Sequence, residues 1–298
     1  MIDIHSHTVY SDGSDSVSEI LIKAQKAGLT YFSITDHNTV DAYFDDALKH
    51  MDKWYDGKMI PGVEITTTYN GEIIEVLGYG INPDLMKAKL DEHVYTFKEK
   101  QLLEFELIKK IYKKNGIQID FDLIEFDPNT SSSRKMIWKE IIKDEVLVNK
   151  FSYPTSIESS SKFTRQEVYN PKSYYYVDQS SLYPSLNEAV QIIHESEGLS
   201  FLAHLYVYGR STEIREDLVN VIKQAKLDGI ECYYSTFTEE QSVDLVTFCQ
   251  EHNLLISGGS DYHGTRKQNI SLGIGNGQLR VPMSIFANWP SKNLDKIF

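Results

Sequence analysis

The chain has little cysteine, a deficit of positive charge and no long apolar run. Cys232 and Cys249 are its only cysteines, which argues against a disulfide framework or a zinc knuckle and favours the cytoplasm. Lysine and arginine number 30 against 43 aspartates and glutamates, for a formal charge of −13. This balance argues against stable binding of long nucleic acid, which needs cationic side chains to neutralise phosphates. A small anionic substrate is still compatible with it, since bound divalent cations can reverse the local field.

No apolar stretch approaches the roughly 18 residues that a membrane-spanning helix needs. The N-terminus lacks the pattern of a signal peptide, because ionisable residues follow directly on Met1 and Ile2. We therefore expect no membrane association. The remaining composition, 41% hydrophobic and 24% charged, is ordinary for a globular protein. It suits one large barrel, or one domain with an insertion.

Alternating strand and helix patterns occupy both ends of the chain. Capping-box sequences at 16–19 and 185–188 each precede an amphipathic helix. The alternation stops at Pro83, which is placed to begin a helix, and the apolar spacing after it predicts one long helix up to the Gly116 region. Polar, weakly periodic sequence follows. We predict an α/β domain formed by 1–82 and 185–298, with an inserted helical and loop subdomain at 83–184 that caps the substrate.

His5 and His7 lie two residues apart at the end of the first predicted strand. Side chains at positions i and i+2 of an extended segment point to the same side, so both imidazoles can face one point. Asp261 and His263 repeat this spacing near the other end of the chain. α/β barrels place their active sites at the carboxyl ends of their strands. Nine residues of metal-ligand type are assigned to strand ends, and Glu75 fits least well because it lies inside its predicted strand. The nine are His5, His7, Asp12, His37, Glu64, Glu75, His204, Asp261 and His263.

A single histidine is more often structural than a metal ligand. His50, His93, His194 and His252 lie in predicted helices, where we expect surface or packing roles. The strand-end set is different, because it is too large for one ion: a catalytic zinc takes about three protein ligands. The set therefore predicts two or three divalent cations.

These residues lie in motifs that resemble the polymerase and histidinol phosphatase (PHP) superfamily of metal-dependent phosphoesterases. The similar segments follow the family's order along nearly the whole chain. The resemblance implies a distorted (β/α)7 barrel with a trinuclear centre of Mn, Fe or Zn ions at its C-terminal face. The segments are Asp3-Ile-His-Ser-His7, Ser11-Asp-Gly13, Ile34-Thr-Asp-His37, Pro61-Gly-Val-Glu64, Val76-Leu-Gly-Tyr79, Leu202-Ala-His204 and Gly258-Gly-Ser-Asp-Tyr-His-Gly264.

The resemblance also implies which residues hold each ion. Asp3 and Asp36 resemble outer partners that orient imidazoles, or else simple strand-end caps. The first ion would take His5, His7, Glu64 and Asp261; the second would share Glu64 and add His204 and Glu75; the third would take Asp12, His37 and His263.

Two positions depart from the family pattern. Glu75 stands where a histidine is common, and a carboxylate there would favour Mn²⁺ or Fe²⁺ over Zn²⁺. In the insertion, Ser133-Arg134-Lys135-Met136 replaces the Gly-Arg-Pro-His of a subgroup that hydrolyses nucleotides and short oligonucleotides. Arg134 is retained there and is suited to bidentate phosphate contact, although an ordinary solvated helix arginine is the alternative. Arg210 is a weaker phosphate candidate.

The function implied is hydrolysis of a phosphomonoester or terminal phosphodiester of a small nucleotide-like substrate by a metal-bridging hydroxide. Arg134 would neutralise charge on the phosphoryl oxygens, and His204, His263 or a metal-bound water would protonate the leaving oxygen. Three alternatives stay open. They are a histidinol-phosphate phosphatase, a non-catalytic PHP domain that binds metal for structure, and an amidohydrolase-type enzyme acting on C–N bonds.

Overall fold

The computed structural model describes residues 1–151, 153–208 and 211–294. Two sheets hold the strands of this part of the chain. The first contains three short parallel strands in the order β1 (Ile2–Asp3), β2 (Tyr31–Phe32) and β3 (Lys58–Met59). The second has five strands in the order β4 (Gly62–Tyr69), β5 (Glu72–Tyr79), β6 (Leu199–Leu202), β7 (Gly229–Tyr234) and β8 (Leu255–Gly259).

Mixed strand direction distinguishes the second sheet from the first. β6 pairs antiparallel to β5, whereas β6, β7 and β8 run parallel. The α/β prediction is therefore confirmed, but the closed barrel is not, because regular pairing in the described residues leaves both sheets open. Single bridges continue beyond the strands: Ser6 pairs with Tyr262, and His37 pairs with Glu64. The strands after which the ligand-type residues fall thus end near one another.

Helices cover the strand connections and most of the inserted segment. The Ser16, Ser185 and Thr238 capping boxes all form, each with the side chain accepting from the backbone of the third residue of its helix. The helices are α1 (Val17–Ala27), α2 (Asp46–Lys49), α3 (Pro83–His93), α4 (Phe97–Lys114), α5 (Ser133–Ile141), α6 (Glu145–Val148), α7 (Ser160–Phe163), α8 (Leu186–Glu195), α9 (Ser211–Glu216), α10 (Leu218–Ala225), α11 (Glu239–His252) and α12 (Ser291–Leu294). None of the described helices is long and apolar enough to cross a membrane.

The single long helix predicted after Pro83 is wrong. The chain forms α3 and α4, separated at Thr96, whose side chain accepts from the Glu99 amide while the Glu99 carboxylate accepts from the Thr96 amide. This capping box holds Thr96 in an extended conformation, with φ −58° and ψ 160°. An extended N-cap ends one helix and begins the next, although the apolar spacing continues across the break.

The chain divides into two compact units. We call 1–67, 74–92 and 185–298 the first unit, and 68–73 and 93–184 the second unit. The predicted boundary at 82/83 therefore differs from the observed one, since nearly all of α3 belongs to the first unit.

Each unit has its own core. In the first unit, Ile4, Leu77, Phe201 and Trp289 belong to one buried cluster, and the Phe201 and Trp289 rings stack with centroids 5.0 Å apart. In the second unit, the core is formed mainly by α4, α5 and the segments after them.

The tyrosine-rich stretch of the second unit is largely packing. Tyr175 is buried against Tyr112 and Phe151, with ring centroids 5.5 and 4.6 Å away, whereas the neighbouring Tyr174 is 77% exposed. Met136, which stands at the family's histidine position, also packs against this core. A flexible apolar side chain at that position serves the interior of the unit.

Candidate metal centre

Strand ends of the first unit bring the nine predicted ligand residues together. His5 and His7 follow β1, His37 follows β2, His204 follows β6, and Asp261 and His263 follow β8. Glu64 lies in β4 and Glu75 in β5. Their donor atoms form four overlapping groups, each within 4.8 Å: His7, Asp12, His37 and His263; His5, His7 and Asp261; His5, Glu64 and His204; His37, Glu64 and Glu75.

Glu64 is the shared carboxylate of this cluster. Its Oε2 lies 3.3 Å from His5 Nε2, 3.2 Å from His7 Nε2 and 3.2 Å from His37 Nδ1. Its Oε1 lies 3.0 Å from His204 Nε2. The side chain is 1% exposed, and burial tends to raise the pKa of a carboxyl. The surrounding imidazoles outweigh burial and hold the pKa of Glu64 well below its usual range.

Asp261 faces the cluster with one oxygen and anchors with the other. Its Oδ1 lies 3.6 Å from His5 Nε2 and 3.3 Å from His7 Nε2. Its Oδ2 accepts hydrogen bonds from the Tyr234 hydroxyl at 2.6 Å and from Lys267 Nζ at 2.5 Å. The backbone of Asp261 is left-handed, with φ 55°. Such strain in a non-glycine residue is typical of functional sites.

Asp12 and Glu75 lie on the more exposed side of the cluster. Asp12 Oδ1 is 3.0 Å from His263 Nε2, and 3.8 Å from both His7 Nδ1 and His37 Nε2. The Glu75 side chain points inward: its Oε2 is 3.2 Å from His204 Nε2, and its Oε1 is 3.5 Å from His37 Nδ1. The Glu75 side chain is therefore directed into the cluster and not towards solvent.

Several buried polar atoms of the cluster lack a hydrogen-bond partner, and their chemistry shows whether cations fit the site. His5 Nε2, His7 Nδ1 and Nε2, His37 Nδ1 and Glu64 Oε2 are buried and have no hydrogen-bond partner among the described residues. Buried polar atoms are normally paired, because leaving one unpaired costs about 1–3 kcal/mol. The orphaned atoms are imidazole nitrogens and a carboxylate oxygen, which are ligands for divalent transition metals. The residues therefore fit a group of cations.

The carboxylates also change the protonation of the imidazoles. Burial alone would lower the pKa of His7, but Asp261 and Glu64 outweigh it and raise this pKa to about 9. For His204, burial is likewise outweighed, and Glu64 and Glu75 raise its pKa to about 10. The carboxylates around His7 and His204 thus favour positive charge at these positions.

Asp3 and Asp36 bind backbone and hydroxyl groups rather than imidazoles. The Asp3 carboxylate accepts from the amides of Ser260 at 2.8 Å and Gly273 at 2.7 Å. The Asp36 carboxylate accepts from the Thr8 amide at 2.7 Å and the Thr8 hydroxyl at 2.6 Å. Both residues therefore act as strand-end caps and do not orient imidazoles. They hold the loops that carry the ligands.

Glu231 orients the cluster and was missed by sequence reasoning. It is fully buried in β7, where Oε1 lies 2.8 Å from His5 Nδ1 and Oε2 accepts from the His204 amide at 2.8 Å. A signal was present, since Glu231 is a lone carboxylate between Ile230 and Cys232 in an otherwise apolar strand. A charge at such a position needs a partner, because an unpaired buried charge is too costly.

Arg134 belongs to the second unit, where it pairs with a buried carboxylate. Its Nη1 donates to Glu104 Oε1 at 3.0 Å, and its guanidinium lies 4.9 Å from the Tyr169 ring centroid. Glu104 also accepts from the Ser133 hydroxyl. Arg210 lies outside the described residues. Among the helix histidines, His194 pairs with Asp228 at 2.8 Å and His252 packs on Phe248, in agreement with packing roles.

Gly259, the last residue of β8, lies close against the backbone of His5. A Cβ added at Gly259 would lie 2.4 Å from the backbone nitrogen of His5 and 2.4 Å from its Cβ. Gly259→Ala is therefore expected to displace His5 and to weaken metal binding by at least about 10-fold. Metal affinity measured by titration checks this result. Gly28→Ala is the control: its φ of 66° makes it strained, but a Cβ there meets open space, and we expect a stability loss of about 1 kcal/mol with unchanged metal affinity.

Overlapping histidine and carboxylate groups at the strand ends of an α/β fold define a candidate multinuclear metal site of the hydrolase type. The chain belongs to the PHP domain family, whose model matches residues 3–241. The resemblance in the motifs is therefore confirmed.

Named relatives are similar to this chain over most of its length. The 5'-3' exoribonuclease Rnm of Escherichia coli is 23% identical over 261 residues, which cover 88% of this chain and 84% of that protein. The 3',5'-nucleoside bisphosphate phosphatase of Chromobacterium violaceum is 22% identical over 269 residues, covering 88% and 87%. Among solved structures, an amidohydrolase from Chromobacterium violaceum with bound sulfate and no metal has a TM-score of 0.67 at 19% identity, covering 100% and 97%. That likeness shows a shared fold.

Proposed function

We propose that the protein is a metal-dependent phosphoesterase that hydrolyses a phosphomonoester or terminal phosphodiester of a small nucleotide-like substrate. The observation that carries the proposal is the buried Glu64, whose two oxygens lie within 3.3 Å of four imidazoles. A carboxylate shared in this way suits neighbouring cations, and paired cations are typical of phosphoester hydrolysis. The named curated relatives act on nucleic acid or nucleotides, which favours the same substrate class.

The four groups of donor atoms support three ion sites. His5, His7, Glu64 and Asp261 would hold the first ion; Glu64, Glu75 and His204 the second; Asp12, His37 and His263 the third. Bound cations would supply Lewis-acid polarisation of the phosphoryl group and a water of lowered pKa. Glu75, with an oxygen 3.2 Å from His204 Nε2, is in reach of the second site, and its carboxylate favours Mn²⁺ or Fe²⁺ there.

The chain's own residues hold the substrate and move its protons. His204, His263 or a water polarised by an ion would protonate the leaving oxygen, a ligating histidine from the ring nitrogen that does not face the ion. Arg134, in the second unit, would bind an anionic group of the substrate. A cavity of about 400 Å³ in that unit is lined by Arg134, Lys135 and Arg165 together with serine and threonine side chains. Three cationic side chains in a chain of net charge −13 favour an anion at this cavity.

We also propose that the two sheets together form the distorted barrel of the family and that the second unit acts as its substrate cap. The bridges Ser6–Tyr262 and His37–Glu64 support the barrel, since each links residues of different strand ends. Cytoplasmic location stays a prediction.

A substrate screen tests the proposed function. The Mn²⁺-loaded protein is offered AMP, a 3′,5′-bisphosphonucleotide, a short oligonucleotide, histidinol phosphate and an N-acetylated amino acid. Release of phosphate or nucleotide from the first three supports the proposal. Preference for histidinol phosphate, cleavage of the amide, or metal binding without any turnover would each replace it by one of the three alternatives. The amidohydrolase alternative is retained because a solved protein of that description shares the fold.

Metal binding is expected to release protons. In the metal-free chain the pKa values of His7 and His204 are raised to about 9 and about 10, so both imidazoles carry a proton at neutral pH, whereas a cation binds only the neutral ring. Apparent Mn²⁺ affinity therefore rises as the pH increases towards about 9. Calorimetric titration in two buffers of different ionisation enthalpy counts the protons, and elemental analysis is expected to find two or three ions per chain. Zero protons released at neutral pH contradicts the assignment.

A further inference from the structure

A row of aromatic rings leads away from the candidate metal centre within the first unit. The Tyr234 ring centroid lies 5.3 Å from that of His204, and the Phe237 centroid lies 5.2 Å from that of Tyr234. Tyr206 continues the row, with its centroid 5.2 Å from Phe237 in an edge-to-face arrangement. The row begins at a residue that we assign to an ion and passes through the half-buried Phe237 to Tyr206.

A cavity of about 400 Å³ opens beside Tyr234 and Phe237. Its volume lies in the range of small-molecule sites. Tyr234 connects this cavity to the metal centre, because it is one of the lining residues and donates its hydroxyl to Asp261 Oδ2 at 2.6 Å. The Tyr234 residue thus links the cavity to Asp261 of the metal centre. A substrate whose phosphate lies at the metal centre would therefore have its remaining part near this cavity.

The lining indicates a flat, polar and uncharged occupant. Aromatic faces favour stacking with a planar ring, as in binding sites for unpaired bases. Ser242 and Gln278 also line the cavity, and their side chains can each donate and accept hydrogen bonds. Glu239 and Arg280, the two charged residues of the lining, have opposite signs, so the cavity does not favour a second phosphate. A nucleobase combines a planar ring with both donors and acceptors.

We propose that this cavity binds the base of the substrate, so that the enzyme selects phosphoesters whose alcohol part is a nucleoside. This inference rests on the proposed function, because it places the phosphate at the metal centre. Phe237 is then a specificity-determining residue. The bond broken is the P–O bond to the nucleoside, with water adding to phosphorus and a proton passing to the nucleoside oxygen that leaves.

The test compares AMP with ribose 5-phosphate, which carries the same ester without a base. In the Mn²⁺-loaded wild-type protein, kcat/KM is expected to be higher for AMP. In Phe237→Leu, the ratio of kcat/KM for AMP to kcat/KM for ribose 5-phosphate is expected to decrease by about 5-fold to about 100-fold. This is the usual cost of losing one base-stacking ring. Phe237→Tyr keeps a ring and should retain most of the ratio. Trp54→Ala, which removes another partly exposed aromatic ring of the first unit, should leave the ratio unchanged.

Two results overturn the inference while leaving the proposed function intact. One is equal kcat/KM for both substrates in the wild-type protein, and the other is a high ratio that Phe237→Leu does not change. If neither substrate is hydrolysed, adenosine alone becomes the probe, and the proposed function is judged separately from the bisphosphonucleotide and the oligonucleotide of the substrate screen. Saturable binding of adenosine by calorimetry that is lost in Phe237→Leu then supports the cavity as a base site. No binding, or equal binding by both proteins, overturns it.

Discussion

His7→Ala and Asp261→Asn are each expected to lower kcat/KM for phosphoester hydrolysis by at least about 10³-fold, equivalent to about 4 kcal/mol of transition-state stabilisation. His7 presents both ring nitrogens to the cluster without a hydrogen-bond partner among the described residues. Asp261 directs one oxygen at His5 and His7. The first variant removes an imidazole ligand of the first ion site, and the second replaces its anionic carboxylate by a neutral amide. Asparagine is the better replacement for Asp261, since it tolerates the φ of 55° and keeps one oxygen acceptor.

The fold should survive both changes. In the metal-free chain each variant removes a charged or protonated group from a crowded buried cluster, so the free energy of unfolding is expected to change by less than about 2 kcal/mol. His50→Ala and Asp46→Asn change the same residue types at exposed positions and serve as matched controls with wild-type activity. Steady-state kinetics and thermal denaturation are measured on all four variants. A folded His7→Ala or Asp261→Asn protein whose activity is within 10-fold of the wild type would contradict the assignment of that residue as a metal ligand.

Local spacing made most of the candidate site predictable. A histidine pair at i and i+2 needs only an extended backbone to face one point, and His5 and His7 do so after β1, with their Nε2 atoms 3.3 and 3.2 Å from Glu64 Oε2. Asp261 and His263 also reach the cluster, but the Asp261 backbone is left-handed, with φ 55°, so the extended geometry expected from their spacing is not what brings them there. The strand ends themselves could be found because apolar runs and capping boxes mark the helices between them, as at Ser185. Local spacing does not predict how distant segments of the chain come together; that prediction came from the resemblance to the PHP family.

Long-range contacts account for what sequence reasoning did not find. The role of Asp3 depends on the amides of Ser260 and Gly273, more than 250 positions away, and no local pattern indicates such a pair. The break between α3 and α4 had a local signal in the Thr96–Glu99 capping box, but the apolar period across it was the stronger one. The links between the strand ends of the two sheets are bridges of single residues, which leave no periodicity in the sequence. Propensity and pattern are weak where tertiary contacts decide.

Glu231→Gln is expected to weaken metal binding at the first ion site by about 10-fold to 100-fold, although Glu231 contacts no proposed ion. Its Oε2 accepts from the His204 amide and its Oε1 lies 2.8 Å from His5 Nδ1. A glutamine must keep its oxygen towards the His204 amide, so its NH2 group would face His5 Nδ1. That nitrogen would then have to accept, which moves the ring proton to Nε2. His5 Nε2 is the atom that faces Glu64 and Asp261, and a protonated Nε2 cannot bind a cation.

Asp228→Asn, at a half-buried position, separates this tautomer effect from simple loss of a hydrogen-bonded carboxylate. Asp228 has the same pair of partners, since its Oδ2 accepts from the Ser200 amide at 2.8 Å and lies 2.8 Å from His194 Nε2, but His194 is not a proposed ligand. Both variants should lose stability, by about 1–3 kcal/mol, whereas only Glu231→Gln should lose metal affinity and shift the His5 ring proton in ¹⁵N NMR spectra. If the two variants bind Mn²⁺ equally well, Glu231 is a structural carboxylate and does not position His5 for a cation.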